Sequence, residues 1–393
     1  MSNIAETEVG DPPLSFPRRL GKQVQDRFMA DANSRESALA ALKVLIIRCA
    51  GAAIAYGVQV LLSRLLGQSD YGVFALVWVW IIVLGHLTPV GIAQAACRFI
   101  PHYHARDEQA LLRGFIKTGA LFVTLFSCAT ALLCSAFLWG AASFVEDIYF
   151  LPFALALFVV PLFALQDYVE NVARSFNWTL IAIAPPYIIR HGLIACGLGS
   201  AFMLNWEITA ALAIALTFGA ALLSLLLQTG LVWWRLRAQM APGPSETRAR
   251  EWLRTALPLV FVDGTVLLFS NADILILSLF VEPATVALYF AASRILQLVG
   301  FVQYAAAAAT TQRFSALNAQ DDRSALSALA KSTTQLTFIV SLCAVGFIYP
   351  LAPTLLSLFG GGFGEAMPIL SILMFGLLVQ AFAGPGEDLL KML

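Results

Sequence analysis

Six charged or polar side chains fall inside long hydrophobic runs: Arg48, Gln59, Arg190, Asp263, Asp273 and Arg294. A full charge at the centre of a hydrocarbon layer costs at least ~2.5–3.5 kcal/mol, so each charge must face a wet cavity or a partner. Guanidinium is always charged and presents a planar fork of donors, which suits Arg48 and Arg190 to a phosphate or diphosphate. Asp263 has the chemistry to carry a proton or a sodium ion. Arg48, Ala52, Ala55, Gln59 and Ser63 share one helical face, small and polar, fit to wall a wet cavity. Asp263, Ser270 and Asp273 share a side of a later run. At about 1.5 Å per residue, Arg48, Arg190 and Asp263 each lie roughly 10–15 Å from the inner end of their run, one layer near mid-membrane. Asp273 and Arg294 are about equally far from the turn between their runs, which places them to pair.

The elements that position these groups follow from composition. The 393 residues are 59% hydrophobic and 12% charged. Soluble domains are about 25% charged, so a soluble enzyme is excluded. With 24 Lys+Arg against 24 Asp+Glu there is no basic excess for nucleic acid. Ten apolar runs, each able to cross ~30 Å of hydrocarbon, follow a polar tail. They cover Ala41–Leu66, Gly72–Phe99, Leu111–Trp139, Tyr149–Val172, Thr179–Leu204, Ile208–Trp234, Leu253–Val281, Ala284–Thr311, Thr333–Phe359 and Ala366–Ala383. They are too uniformly apolar for barrel strands, which alternate, so helices are predicted. Pro185-Pro186 predicts a kink just before Arg190.

Charge orients the runs. Of the 24 Lys and Arg, twenty fall on the side of the N-terminal tail, Arg64 alone falls on the other, and three lie within runs. That asymmetry puts both termini in the cytoplasm. The outer loops are a few residues long, as at Glu146-Asp147 and Glu282-Pro283. A membrane enzyme such as a polymerase or ligase needs catalytic groups on substantial outer loops, so a non-enzyme is expected. Cys49, Cys97, Cys128, Cys134, Cys196 and Cys343 form no C-x-x-C and read as small packing residues. His102 and His104 read as a solvated loop, and Gly360-Gly361-Gly362 as a turn lacking the lysine of a phosphate loop. His86 is equally suited to lining a cavity or to packing within a helix. Trp78, Trp80, Trp233 and Trp234 read as packing residues and interfacial anchors.

Shifted by 215 positions, the sequence partly matches itself. Leu62-Ser63 falls on Leu277-Ser278, Gly85 on Gly300, Arg98-Phe99 on Arg313-Phe314 and Asp107 on Asp322. Arg48 falls on Asp263. Six runs lie between the copies, an even number, so the repeat is parallel, with a substrate path between two lobes. The predicted organisation is a cytoplasmic polar tail over 1–38, a six-helix lobe over 39–236, a linker over 237–252 and a four-helix lobe over 253–393.

The residues also carry a resemblance. Leu65-Leu66-Gly67 followed by Tyr71-Gly72 and Phe74, then Gly91 and Arg98-Phe99, resembles the polysaccharide-biosynthesis flippases of the multidrug/oligosaccharidyl-lipid/polysaccharide (MOP) superfamily. Asn271 and Asp273, the run ending at Arg294, Leu358-Phe359-Gly360 and Phe363 add to it. The resemblance implies an all-α, polytopic, two-lobe MOP-type bundle in the bacterial inner membrane. Family lobes have six helices each, so the six-plus-four count is read as a second lobe cut short. The implied activity is the transfer of undecaprenyl-pyrophosphate-linked oligosaccharide from inner to outer leaflet, for O-antigen, exopolysaccharide or capsule. The substrate cavity would hold Arg48, Gln59, Arg190, Asp263, Asp273 and Arg294, with Arg48 and Arg190 on the pyrophosphate. No metal or organic cofactor is expected, and proton or sodium coupling would act through Asp263. The expected partners are the lipid-linked substrate, the bilayer, and polymerase and chain-length machinery, without nucleic acid. The alternatives are a cation-coupled multidrug exporter of the same superfamily, which would favour an acid-rich cavity, and a non-transporting truncated membrane subunit.

Overall fold

The computed structural model describes residues 16–240, 242–300 and 323–383, with side chains at 47, 49–240, 242–300 and 330–383. Every regular element among them is helical. In chain order they are α1 (Phe16–Leu87), α2 (Ile92–Ala105), α3 (Gln109–Gly140), α4 (Asp147–Ser175), α5 (Thr179–Ala184), α6 (Arg190–Met203), α7 (Ala210–Gln239), α8 (Ala249–Phe269) and α9 (Ala272–Leu277). There follow α10 over 283–300, α11 (Arg323–Leu358) and α12 (Met367–Ala383). The chain forms two compact units, Met1–Ala50 and Gly51–Leu393. The first is helical from Phe16, so part of the expected polar tail is a helix. Its Ala, Leu, Lys, Arg and Glu residues are strong helix formers. The remaining description concerns the second unit.

Eight stretches among the described residues are long and apolar enough to cross a membrane. The stretch Cys49–Ala105 is 57 residues long and holds the first two expected spans, which meet at a kink in α1 where Gly67 leaves the helical conformation (φ 75°, ψ 178°). The eighth expected span enters α10 and continues into residues outside those described, as does the repeat copy Arg313-Phe314. These two facts reconcile ten expected spans with eight.

Two spans are interrupted where continuity was expected. Residues 88–91 break Gly72–Phe99, with Val90 and Gly91 at positive φ (51° and 74°). Ser270-Asn271 separates α8 from α9 within Leu253–Val281. The predicted kink before Arg190 is a π-helical turn over Pro185–Ile189. Such turns open the hydrogen-bond ladder, and they recur at functional sites. Asp107, Asn177 and Asn205 close three inter-helix turns with φ between 55° and 59°. Their short polar side chains tolerate the left-handed region.

Helix α4 packs against α2, α3 and α7, while α2 also packs on α8. A second seam joins α1 to the chain beyond α9. Tyr71 is fully buried, with Phe290, Phe363 and Phe359 ring centroids at 5.8, 6.0 and 6.3 Å. Its hydroxyl donates to Gln59 Oε1 at 3.1 Å. A Cβ on Gly72 would run into the Pro283 carbonyl, and one on Gly91 into that of Ala256. Ser63 Oγ donates to Phe359 O at 2.9 Å, and Arg64 Nε to Leu358 O at 2.5 Å. Arg64 thus caps the carbonyl end of α11, where a helix dipole favours positive charge.

Outward faces are apolar, as at Leu132, Leu133 and Phe137 of α3 and Phe261 and Phe269 of α8, all exposed. So much exposed apolar surface suits lipid, and the protein is a multi-pass membrane protein. Five cysteines are exposed and Cys134 is half-buried, and none is in a disulfide.

Candidate functional site

Arg190 begins α6 directly after the π turn and is buried. The turn places its guanidinium over Phe163, with 4.2 Å from Cζ to the ring centroid, and 6.0 Å from Trp78. Arg190 Nη1 donates to Gln166 Oε1 at 3.1 Å. Gln166 Nε2 donates to Ser224 Oγ at 2.8 Å, and Ser224 donates to the Pro185 carbonyl at 2.8 Å. The relay ties α4, α6 and α7 together, and Ser224 is a second donor to the Pro185 carbonyl, which also accepts the Arg190 backbone N–H that closes the π turn. Arg190 Nε is buried without a hydrogen-bond partner, and so is His191 Nδ1 beside it.

Arg294 on α10 is the counterpart on the other seam. Its Cζ lies 4.0 Å from the Phe290 centroid, and Nη1 donates to Gln297 Oε1 at 3.0 Å. Its Nε, too, is buried and unpartnered. Phe290 is the ring that packs on Tyr71, so Arg294, Phe290, Tyr71 and Gln59 form one continuous set.

The expected Asp273–Arg294 pair does not form. Asp273 Oδ2 accepts from the Tyr289 hydroxyl at 2.6 Å, and Oδ1 accepts from the Ile274 N–H at 2.9 Å. The break at Ser270-Asn271 puts Asp273 on a separate short helix, where its carboxylate is taken up by Tyr289 and lies within electrostatic range of Arg294 without forming an ion pair with it. The ion pairs among the described residues are Arg174–Glu170, Arg248–Glu246 and Arg248–Glu251, and neither Arg190 nor Arg294 takes part in one.

Asp263 is exposed and, with His86, Gln94 and Ser270, lines a separate cavity of about 350 Å³ between α8 and the α1–α2 turn. His86 Nδ1 lies 2.9 Å from Ile82 O. Asp167, on α4, lies within electrostatic range of both His86 and Asp263. Gln59 is buried in the Tyr71 seam. The backbone of Arg48 is helical, and its side chain lies outside those described.

Four contributors escaped the sequence reading. Gln166 and Ser224 are uncharged and were passed over in apolar runs, although a Gln in mid-span is itself a signal. Asp167 and Glu170 sit near the end of their run, where acids pass as interfacial. With Asn171 and Arg174 they form one face of α4, since i, i+3, i+4 and i+7 coincide on a helix. Among the described residues no group of three or more His, Cys, Asp or Glu is placed to hold a metal ion. His102 and His104 lie edge-on to Tyr103 and Phe176.

Residues 41–317 match the family described as polysaccharide biosynthesis protein. The chain belongs to that family. The match takes in α1 from residue 41 through α10, and thus both arginine sets. No curated protein sequence matches significantly. Solved structures resemble this polysaccharide biosynthesis protein in fold. One is an inward-facing multidrug resistance MATE family transporter of the MOP superfamily, at 17% identity and TM-score 0.61, covering 88% of this chain and 87% of that one. An outward-facing MATE transporter gives 16% identity and TM-score 0.57, covering 89% and 84%. A MOP superfamily transporter from Pyrococcus furiosus, titled for the reverse polarity of its binding pocket, gives 16% identity and TM-score 0.55, covering 89% and 84%. At such identity the likeness is one of fold.

Proposed function

We propose that this transporter flips a pyrophosphate-linked, lipid-carried oligosaccharide from the inner to the outer leaflet of the bacterial inner membrane, for surface polysaccharide. The observation that supports this reading is the pair Arg190 and Arg294. Each guanidinium lies against an aromatic ring, has an unpartnered Nε and forms no ion pair among the described residues. A cation withdrawn from water without a carboxylate is costly, and an anionic substrate would offset that cost. The lobes 39–236 and 253–393 would alternate access, with the diphosphate between the arginines, the glycan in the wet path and the prenyl tail in lipid. Asp273, which is exposed, would line that path, whereas Gln59, buried against Tyr71, and Asp263, in its separate cavity, stand off it. The test is complementation: surface glycan should return when the chain is expressed in a strain lacking its own flippase, and its absence at normal membrane levels would remove the assignment.

The inner-to-outer direction rests on orientation. Single cysteines at Glu146 or Glu282, with native cysteines replaced, should react with an impermeant thiol reagent on intact spheroplasts. Cysteines at Asp107 or Arg250 should react only after lysis. The reverse pattern would overturn the cytoplasmic placement of both termini. Asp70 is avoided because its Oδ1 accepts from Ala210 N–H at 2.9 Å and caps α7.

A second reading is a cation-coupled exporter, which the cavity of Asp263 and His86 beside Asp167 favours. Its discriminating result is expulsion of cationic dyes by cells expressing the chain, lost in Asp167→Asn and retained in Arg190→Gln.

A further inference from the structure

Away from both arginine seams, the connector between α7 and α8 is strapped onto the first turns of α3. Glu246 N–H donates to Ala110 O at 2.9 Å, and Arg113 Nε donates to Pro244 O at 2.9 Å. The Thr118 and Thr247 hydroxyls are 3.2 Å apart. Gly114 packs so closely that a Cβ there would run into the Glu246 carbonyl. This strapping leaves a cleft of about 660 Å³ between the start of α3 and the end of α7.

The chemistry of the cleft has one sign. Arg113, Lys117 and Arg237 line it together with Trp233, and no carboxylate does. Lys117 and Arg237 are exposed, and neither is in an ion pair among the described residues. Arg237 stacks on Trp233 at 3.4 Å from Cζ to the ring centroid, which holds the guanidinium at the mouth. Its floor is apolar, from Leu236 and Met240. The level is set by α7 itself. Leu223, Leu226 and Leu227 are exposed to lipid, then Trp233 and Trp234 are exposed, and then Arg235 and Arg237 follow. Apolar, then indole, then basic is the order met on passing from hydrocarbon into headgroups.

We propose that this cleft binds the headgroup of an anionic phospholipid from the surrounding leaflet, its phosphate between Lys117 and Arg237 and its acyl chains along α3 and α7. Basic pockets between spans at this level suit such headgroups. The lipid would brace the strapped connector, and the site lies apart from the proposed substrate path. A soluble phosphate shares the same chemistry but has no use for the apolar floor.

The test uses purified, delipidated full chain in neutral detergent. Adducts are counted by native mass spectrometry, and melting is followed during titration with phosphatidylglycerol, phosphatidylcholine or inorganic pyrophosphate. Phosphatidylglycerol should bind at least tenfold more tightly than phosphatidylcholine. Lys117→Gln with Arg237→Gln should weaken it about thirtyfold, from the attraction of two cations near the surface. Lys117→Arg with Arg237→Lys should retain binding, and Arg106→Gln should not change it. The glutamine variant, its side chains exposed, should melt like the parent without lipid. Equal phosphatidylglycerol binding by parent and glutamine variant would overturn the proposal. Pyrophosphate raising the melting temperature as much as phosphatidylglycerol would also overturn it, marking a soluble phosphate site.

Discussion

Arg190→Glu and Arg294→Glu should each abolish surface glycan in the flippase-null strain at matched membrane levels, and the double variant should leave none. A glutamate at 190 would turn a carboxylate toward Gln166 Oε1 and the face of Phe163, where the guanidinium now sits. Two acceptors would then oppose each other, and ring faces repel anions. A diphosphate would meet repulsion in place of two charge-assisted hydrogen bonds, each worth about 1.5–3 kcal/mol. Lysine should keep partial activity, since charge persists while the bidentate fork is lost. Glutamine, neutral and close in reach, should reduce flipping by at least about tenfold, the equivalent of one such bond. Normal glycan from the double glutamate variant would make both arginines packing residues.

Tyr71→Ala should be the most destabilising substitution on the α1 seam. It removes a fully buried ring from edge contacts with Phe290 and Phe363 and a tilted contact with Phe359, and takes from Gln59 its hydroxyl donor. Large-to-small aromatic changes cost about 3–5 kcal/mol in soluble cores. Lipid tails are as apolar as the interior, so that figure is an upper bound here and the loss is mainly one of packing. Tyr71→Phe keeps the ring and should cost only about 1 kcal/mol, the worth of one hydrogen bond. Melting of the detergent-solubilised protein separates the two, and equal melting of Ala and Phe variants would show that the ring does not hold this seam.

The apolar cores of the helices were legible because lipid admits few ways of satisfying a backbone, but polar extensions were not: α1 begins at Phe16 rather than Ala41, and α11 at Arg323 rather than Thr333. Expected Leu111–Trp139 and observed Gln109–Gly140 differ by two residues at most. The interruptions were legible in principle: Thr88-Pro89 followed by Gly91 is turn chemistry inside an apolar run, and Ser270-Asn271 is another. Partners were not legible. Depth follows from counting residues, whereas the direction a side chain takes around the helix depends on every break before it. Asp273 thus bonds Tyr289, and Arg294 bonds Gln297, rather than each other. The motif residues behind the family resemblance, Tyr71, Gly72, Gly91, Phe359 and Phe363, prove to be contact points between helices. They specify how helices approach one another, which is why they reveal the fold while the substrate must be argued from the arginines.

The same separation governs the two transport readings. An anion carrier requires cations not locked into ion pairs, and Arg190 and Arg294 form none among the described residues, although Glu170 and Asp273 respectively lie within electrostatic range. An exporter of cations requires acids within reach of its path, and Asp167 with Asp263 could serve one. Both sets lie in one bundle, so transport itself, with defined substrates, decides between them.

The most direct measurement is translocation in proteoliposomes. Purified protein is reconstituted with a labelled prenyl-pyrophosphate oligosaccharide, and its appearance in the other leaflet is followed by cleavage with an enzyme that cannot cross the membrane. The account predicts transfer at least about tenfold faster than in protein-free vesicles, loss of that advantage in Arg190→Gln with Arg294→Gln, and slower transfer of a neutral prenyl glycoside. Transfer by the double variant at the parental rate, or movement of cationic dyes but not of the pyrophosphate lipid by the parent, would contradict it.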